Sequence, residues 1–271
     1  MTAVWLTEVS DEATHGGKAA QLGSALRAGL PVPPGFALAH EHVDEIAAID
    51  ADTAPDHIAA AFASLAGPVA VRSSAIGEDG AGASFAGQHA TVLGVTCARS
   101  LLLAIRKVRE SAHAPSALAY RKRLGLEGLP RMAIVVQRLI DADTAGVLFT
   151  RNPLSGDDER VIEAAWGLGE IVVAGLVTPD RYRIARDGTI KERVAGEKDI
   201  AIRLRADGGT HEEPIDDDRV SALCLSDDDL QSLHDLALRC EAHASAPQDI
   251  EFAFAAGRLY LLQRRAITRT A

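Results

Sequence analysis

The chain has 271 residues, of which 47% are apolar and only 4% aromatic, enough for one large domain or two lobes with real cores and incompatible with a disordered tail protein. Twenty-eight Lys and Arg against 38 Asp and Glu leave a net charge of −10, so no global basic field exists to draw in nucleic acid or an anionic membrane as a main partner. Cys97, Cys224 and Cys240 are odd in number and far apart, which excludes a CxxC knuckle and a disulfide framework and fits a reducing cytoplasm. Met1 to Glu12 has no basic segment followed by an apolar one, and no stretch approaches the roughly 20 apolar residues of a bilayer span, so a protein neither exported nor membrane-spanning is expected.

In chain order, Gly16-Gly17-Lys18 reads as a glycine loop opening a short helix that carries Ala19, Ala20, Leu22 and Leu26 and is stopped by Gly29 and Pro31. Gly35 to Leu38 predicts a strand, and Asp44 to Leu65 an Ala-rich helical stretch interrupted near Pro55. Val69 to Val71 predicts another strand. From Ser73 to Gly87 the residues are small and polar, which predicts a surface loop. Thr91 to Val95 resumes strand character, and Leu101, Leu102, Ile105 and Val108 stripe a helix that Pro115 ends or kinks.

Met132 to Gln137 and Gly146 to Thr150 are apolar strands, followed by strand signals at 161–163 and 182–184 around the Gly167-Leu168-Gly169 turn and a short apolar helix. Asp187-Gly188 signals a hairpin. Leu204 to Val220 reads as an acidic linker, and Ser226 with three following aspartates caps a helix whose core face holds Leu230, Leu233, Leu236 and Ala237. Ile250 to Phe254 and Leu259 to Gln263 alternate on either side of Ala256-Gly257, a β-hairpin with Glu251 and Gln263 near its outer ends. Strands and helices without regular alternation predict an α+β fold.

Common nucleotide fingerprints are absent: no GxxxxGK[ST] occurs, and Gly80-Ala81-Gly82 would need a glycine where Phe85 stands to complete GxGxxG. What remains is a lysine after a glycine pair, an arginine before a serine pair and a Gly/Ser loop, all donors suited to anionic oxygens. Taken singly, each has an ordinary reading: Lys18 as a solvated helix-start lysine, Arg72 as a strand-end ion pair, Glu251 and Gln263 as hairpin surface. Their joint order decides otherwise.

The stretches GGKAAQLGSALRAGLPVPPGFAL, VAVRSSAIGEDGAGASFAGQHATVLGV, VVQRLIDADTAGVLFTRNPLSG, EAAWGLGEIVVAGLVTPDRY and DIEFAFAAGRLYLLQRRAIT resemble, in order, the nucleotide-binding domain of pyruvate phosphate dikinase, phosphoenolpyruvate synthase and rifampicin phosphotransferase. The resemblance implies an ATP-grasp-like two-lobed fold that clasps ATP and Mg²⁺, with residues 1–138 as the lobe bearing the phosphate loop and 139–271 as the lobe bearing a metal-binding hairpin. It further implies that Lys18, Arg72 and Arg121 are the phosphate-side cations and that Arg265, matching the arginine of the family's Q-x-R-P end, joins them among the catalytic residues. The loop containing Gly82, Ser84 and Gly87 would close over the phosphates. Gln137 and Leu139 would meet the adenine, and Glu251 and Gln263 would bind the metal. Glu163 and Glu170, flanking the turn at Trp166 to Gly169, stay outside this set, and His40 and His42 predict no metal site.

In the family this domain phosphorylates a histidine on a swivelling domain that serves a third, acceptor-specific domain. No block here resembles the phosphohistidine segment, and Ala266 stands where the family has proline. The expectation is therefore an ATP- and Mg²⁺-dependent phosphotransferase component acting on a histidine or acceptor carried by a separate partner protein. A self-sufficient small-molecule kinase or ligase is the alternative. A non-catalytic nucleotide-binding module is a third reading, against which Lys18, Arg72, Glu251 and Gln263 argue, since adenine binding alone needs fewer charged contacts.

Overall fold

Among the described residues, a five-stranded and a six-stranded sheet organise the chain, with a two-stranded hairpin beside them in sequence. The computed structural model describes residues 2–76, 90–123, 128, 130–244 and 246–267. The chain divides into unit 1, residues 1–27, 33–139 and 205–209, and unit 2, residues 28–32, 140–204 and 210–271. Among the described residues no helix is long and apolar enough to cross a membrane. The mixture of helices with mainly antiparallel sheets is the expected α+β class.

Unit 1 comprises β1 (Val4–Trp5), α1 (Glu12–Arg27), β2 (Gly35–Leu38), α2 (His40–Ala48), α3 (Asp56–Ala63), β3 (Val69–Ala75), β4 (Thr91–Val95), α4 (Ala98–Ser111), α5 (Pro115–Arg123) and β5 (Met132–Arg138). Its five strands run in the order β1-β2-β5-β3-β4. Phe36, Leu38, Val69, Val71, Ile134 and Val136 point from this sheet into a core completed by Val43 and Ile46 of α2, Ile58 of α3 and Leu101, Ile105 and Val108 of α4. The alternation along β3 and β5 consequently sends Ala70, Arg72 and Ser74, with Ala133, Val135 and Gln137, to the opposite face.

Proline punctuates this unit as its chemistry requires. Pro55 immediately precedes α3, and α4 stops at Ser111 so that Pro115 opens α5, where the missing N–H is not needed.

Unit 2 is built on β6 (Thr144–Phe149), β7 (Glu159–Trp166), α6 (Glu170–Val173), β8 (Asp180–Ala185), β9 (Ile190–Val194), β10 (Ile200–Leu204), β11 (Thr210–Pro214), α7 (Asp217–Val220), α8 (Asp227–Ala242), β12 (Gln248–Ala255) and β13 (Arg258–Ala266). Six strands form a sheet in the order β13-β12-β6-β7-β8-β9. Arg264, Ile250, Leu148, Ile162 and Tyr182 share one cross-strand row on its buried face. Helix α8 packs on β12 and β13 through an apolar stripe that includes Leu230, Leu233, Leu236 and Cys240. Ser226 caps it as expected, its hydroxyl accepting from the Asp229 amide.

Two expectations are corrected. Residues 204–220 are no linker: β10 pairs with β11 over Ile200–Leu204 and Thr210–Pro214, Gly208-Gly209 makes the turn at positive φ, and a short α7 follows. Strand β3 also extends through Ser73 and Ser74 to Ala75 instead of giving way to a loop at Ser73; both serines are buried and paired with β5.

Unit 2 also contains a fully buried ion pair. The Lys198 ammonium donates to Asp180 Oδ1, and both side chains have 0% exposure. The Gly196 amide supplies a second donor to Oδ1 at 2.7 Å, and Oδ2 accepts from the Cys224 amide at 2.7 Å and the Tyr182 hydroxyl at 3.1 Å. The same hydroxyl accepts from the Leu225 amide at 3.1 Å. Burial, with the negative charge of Asp180 adding to it, pushes both the Cys224 thiol and the Tyr182 hydroxyl far up, so both remain protonated donors in this network.

Candidate functional site

The glycine pair before Lys18 does not open α1; it interrupts it. A first turn forms from Glu12, Gly16 leaves the helical region at φ +78°, and the helix resumes through Lys18. The reason lies in β3. The Ser74 hydroxyl donates to the His15 carbonyl at 2.7 Å and accepts from the Ala19 amide at 3.1 Å, so one side chain stitches both ends of the break. A Cβ on Gly16 would lie 1.9 Å from the Ser74 carbonyl oxygen. Gly16→Ala is therefore expected to destabilise the protein by about 1–3 kcal/mol, read as a lowered urea midpoint, because it combines positive φ with a backbone clash.

This stitch puts Lys18 over the serine pair. Its Nζ donates to the Ser73 carbonyl at 2.6 Å and lies 3.5 Å from the Ser73 hydroxyl. Arg72, half-buried on the non-core face of β3, donates from Nη1 to Gln137 Oε1 at 3.4 Å. Gln137 is 2% exposed and donates in turn to the Pro33 carbonyl at 3.3 Å. Lys18, Arg72 and Gln137 are thus brought together within unit 1. Leu139 follows β5 half-buried, with its amide donating to the Pro68 carbonyl at 2.9 Å. Arg121 lies half-buried in the last turn of α5. Gly82, Ser84 and Gly87 lie outside the described residues.

The second group belongs to unit 2. Glu251 and Gln263 face each other as direct cross-strand partners within β12 and β13, three residues inside either strand end, rather than at the outer ends of the hairpin. A bulge follows Glu251 and resets the register toward the turn. The pair lies inside because β12 begins at Gln248 and β13 runs to Ala266, beyond the alternating segments 250–254 and 259–263. Both side chains are half-buried on the face opposite α8.

Two residues away along β12 and on the same face, Asp249 stands across from Arg265, whose Nε and Nη2 donate to Asp249 Oδ2 at 2.8 and 2.7 Å. The sequence reading took up Arg265 but not Asp249. Its signal was the i, i+2 spacing from Glu251, legible only with the hairpin register in hand. Burial raises the Asp249 carboxyl above its ordinary value, Arg265 pulls it back and the Glu251 charge adds to the rise.

The donor set of β12 and β13 fits a hard cation. Mg²⁺ takes oxygen ligands, usually one or two carboxylates with waters and substrate phosphates, and a directly opposed carboxylate and amide on adjacent strands supply two such oxygens. Among the described residues no cluster of three or more His, Cys, Asp or Glu that could hold a metal ion is found.

Comparison with known proteins fixes the family. The family described as "Pyruvate phosphate dikinase, AMP/ATP-binding domain" matches residues 51–271. The chain belongs to the pyruvate phosphate dikinase AMP/ATP-binding domain family. Over 97% of its length this family member is 36% identical to a probable phosphoenolpyruvate synthase of Methanocaldococcus jannaschii, of which it covers 26%. Over 96% of its length it is 33% identical to a rifampicin phosphotransferase of Streptomyces sviceus, of which it covers 35%. The chain thus spans about a quarter to a third of these two relatives. A D-alanine–D-alanine ligase from Bacillus anthracis solved with ATP aligns over 92% of the chain and 54% of its own, at 11% identity and a TM-score of 0.38, too distant to carry an argument.

Proposed function

We propose that this AMP/ATP-binding domain is the nucleotide-binding component of a phosphotransferase of the phosphoenolpyruvate synthase and pyruvate phosphate dikinase type. In this reading it binds ATP with Mg²⁺ and passes a phosphoryl group to a histidine or other acceptor. The carrier of that acceptor is taken, as part of this proposal, to be a partner protein. The observation that carries the reading is the stitched Gly16 break, which sets Lys18 and Arg72 on neighbouring elements where two cations serve one polyanion.

Phosphoryl transfer leaves little covalent work to a protein; positioning and charge stabilisation do most of it. Lys18 acts as a compact point charge and Arg72 as a planar fork suited to two phosphate oxygens. Gln137 presents an amide, with both a donor and an acceptor, toward the base. Glu251 and Gln263 would hold Mg²⁺, which when bound neutralises phosphate charge. Arg265, oriented by Asp249, contributes a further guanidinium beside that pair. Residues 1–138 and 139–271 are proposed as the two lobes of an ATP-grasp-like fold.

The test is nucleotide-product analysis with ATP and Mg²⁺, with and without candidate partner proteins. Partner-dependent AMP is the expected result, one phosphoryl group of ATP ending on the acceptor and the other leaving on water as Pi or on added Pi as pyrophosphate. An acceptor-dependent product made by this chain alone would favour the self-sufficient kinase or ligase, and tight ATP binding without turnover under every condition would leave only the nucleotide-binding module.

A further inference from the structure

On the exposed face of the unit 2 sheet, Gln263, Glu251, Val147, Glu163 and Arg181 are successive register partners across β13, β12, β6, β7 and β8, so their side chains leave the sheet on the same side. Glu163 is half-buried in the middle of this sheet, yet among the described residues its carboxylate makes no hydrogen bond and no ion pair. A partner stands beside it. Arg181 is its direct cross-strand neighbour, but that guanidinium reaches to Glu192 at 3.6 Å instead.

Other acids of this sheet are matched: Asp249 by Arg265, Glu159 by Arg183 and Lys191, and Glu192 by Arg183 as well as Arg181. Leaving one half-buried carboxylate unmatched beside an available arginine is unfavourable for folding, which points to a ligand that supplies the missing positive charge.

We propose that Glu163 is a further oxygen donor to the divalent cation of the ATP complex, acting across Val147 from Glu251. Two strand spacings set the two glutamate Cα atoms about 10 Å apart, a gap that two extended side chains narrow to the size of a cation with its waters. Val147 between them adds no competing polar group. The inference rests on the proposed role of Glu251 and Gln263 and extends that site by one residue.

The test measures Mn²⁺ binding to the whole chain in the presence of ATP, by electron paramagnetic resonance, for the wild-type protein, Glu163→Gln, Glu163→Asp and Glu251→Ala. Glu163→Gln is expected to weaken Mn²⁺ binding about tenfold while raising the metal-free melting temperature by about 2–4 °C, since the unmatched carboxylate is gone. Glu163→Asp should fall between it and the wild type in affinity. A merely structural Glu163 would leave Mn²⁺ affinity unmoved and lower the melting temperature. Loss of binding in Glu251→Ala with unchanged affinity in both Glu163 variants would overturn this proposal and leave the Glu251 site standing. Undiminished binding in Glu251→Ala, or none in the wild type, would remove the site itself and Glu163 with it.

Discussion

Replacing Lys198 by Met is expected to destabilise the protein by about 3–5 kcal/mol, enough to unfold it in mild urea. The substitution keeps most of the side-chain volume and removes the one charged donor to Asp180, both of whose oxygens are out of contact with water. The carboxylate would keep the Gly196 and Cys224 amides and the Tyr182 hydroxyl, yet its charge would be uncompensated in a buried site. Asp180→Asn should cost a comparable amount by stranding the lysine. The double variant Asp180→Asn with Lys198→Met should recover much of the loss, because the damage comes from an orphaned charge more than from a lost attraction. Urea unfolding of the three variants checks this; a double variant as unstable as the sum of the singles would show the argument to be wrong.

Lys18→Ala and Arg72→Ala are each expected to weaken ATP binding about 10- to 100-fold, the range spanned by losing one charge-assisted contact of about 1.5–3 kcal/mol. Isothermal titration with ATP and Mg²⁺ reads the affinity, and circular dichroism reads the fold. Lys18 also anchors to Ser73, so its removal should lower stability slightly, by about 1 kcal/mol, without loss of secondary structure. Arg72→Ala frees the Gln137 amide from one partner while the Pro33 contact still holds it. Both variants retaining ATP affinity within twofold of the wild type would sink the phosphate-side assignment. Arg72→Lys separates charge from shape: a lysine there should recover part of the affinity but not the bidentate component.

Much of this was legible in the sequence because periodicity and punctuation are local. The apolar strands at 132–137 and 146–150, the Ser226 cap and the turn at Ala256-Gly257 all follow from residues near one another. The failures are equally physical. Gly16-Gly17 reads as a loop before a helix, but the conformation is set by Ser74, 58 residues from Gly16, whose hydroxyl and carbonyl occupy the space a side chain would need. The polar run from Ser73 reads as loop because small hydroxyl side chains favour turns; pairing with β5 and the Lys18 contact satisfy their polar groups and override that tendency. The β10–β11 hairpin hid behind an acidic composition. Its outer strand is Thr-His-Glu-Glu-Pro, polar on both faces and legible only through its partner. At the candidate site, Glu251 and Gln263 stand out as residues, but both strands run three residues past them, to Gln248 and Ala266. The isolation of Glu163 is a property of neighbours on other strands and leaves no trace in one dimension.

The division of the chain into its two units has a practical consequence. Residues 28–32 group with unit 2, where the Pro31 carbonyl accepts from the Leu261 amide at 2.9 Å and Arg239 donates to the Gly29 carbonyl at 2.6 Å, while 205–209 group with unit 1, where the Gly209 amide donates to the Gly94 carbonyl at 2.8 Å. The backbone therefore passes from one body to the other five times. A fragment ending near 139 would lack a strand-edge contact made by 205–209, and its complement would lack the segment that borders β13, so neither half can be excised by a single scission. Nucleotide-binding studies need the intact polypeptide, and a protease nick at one junction would leave the pieces held together.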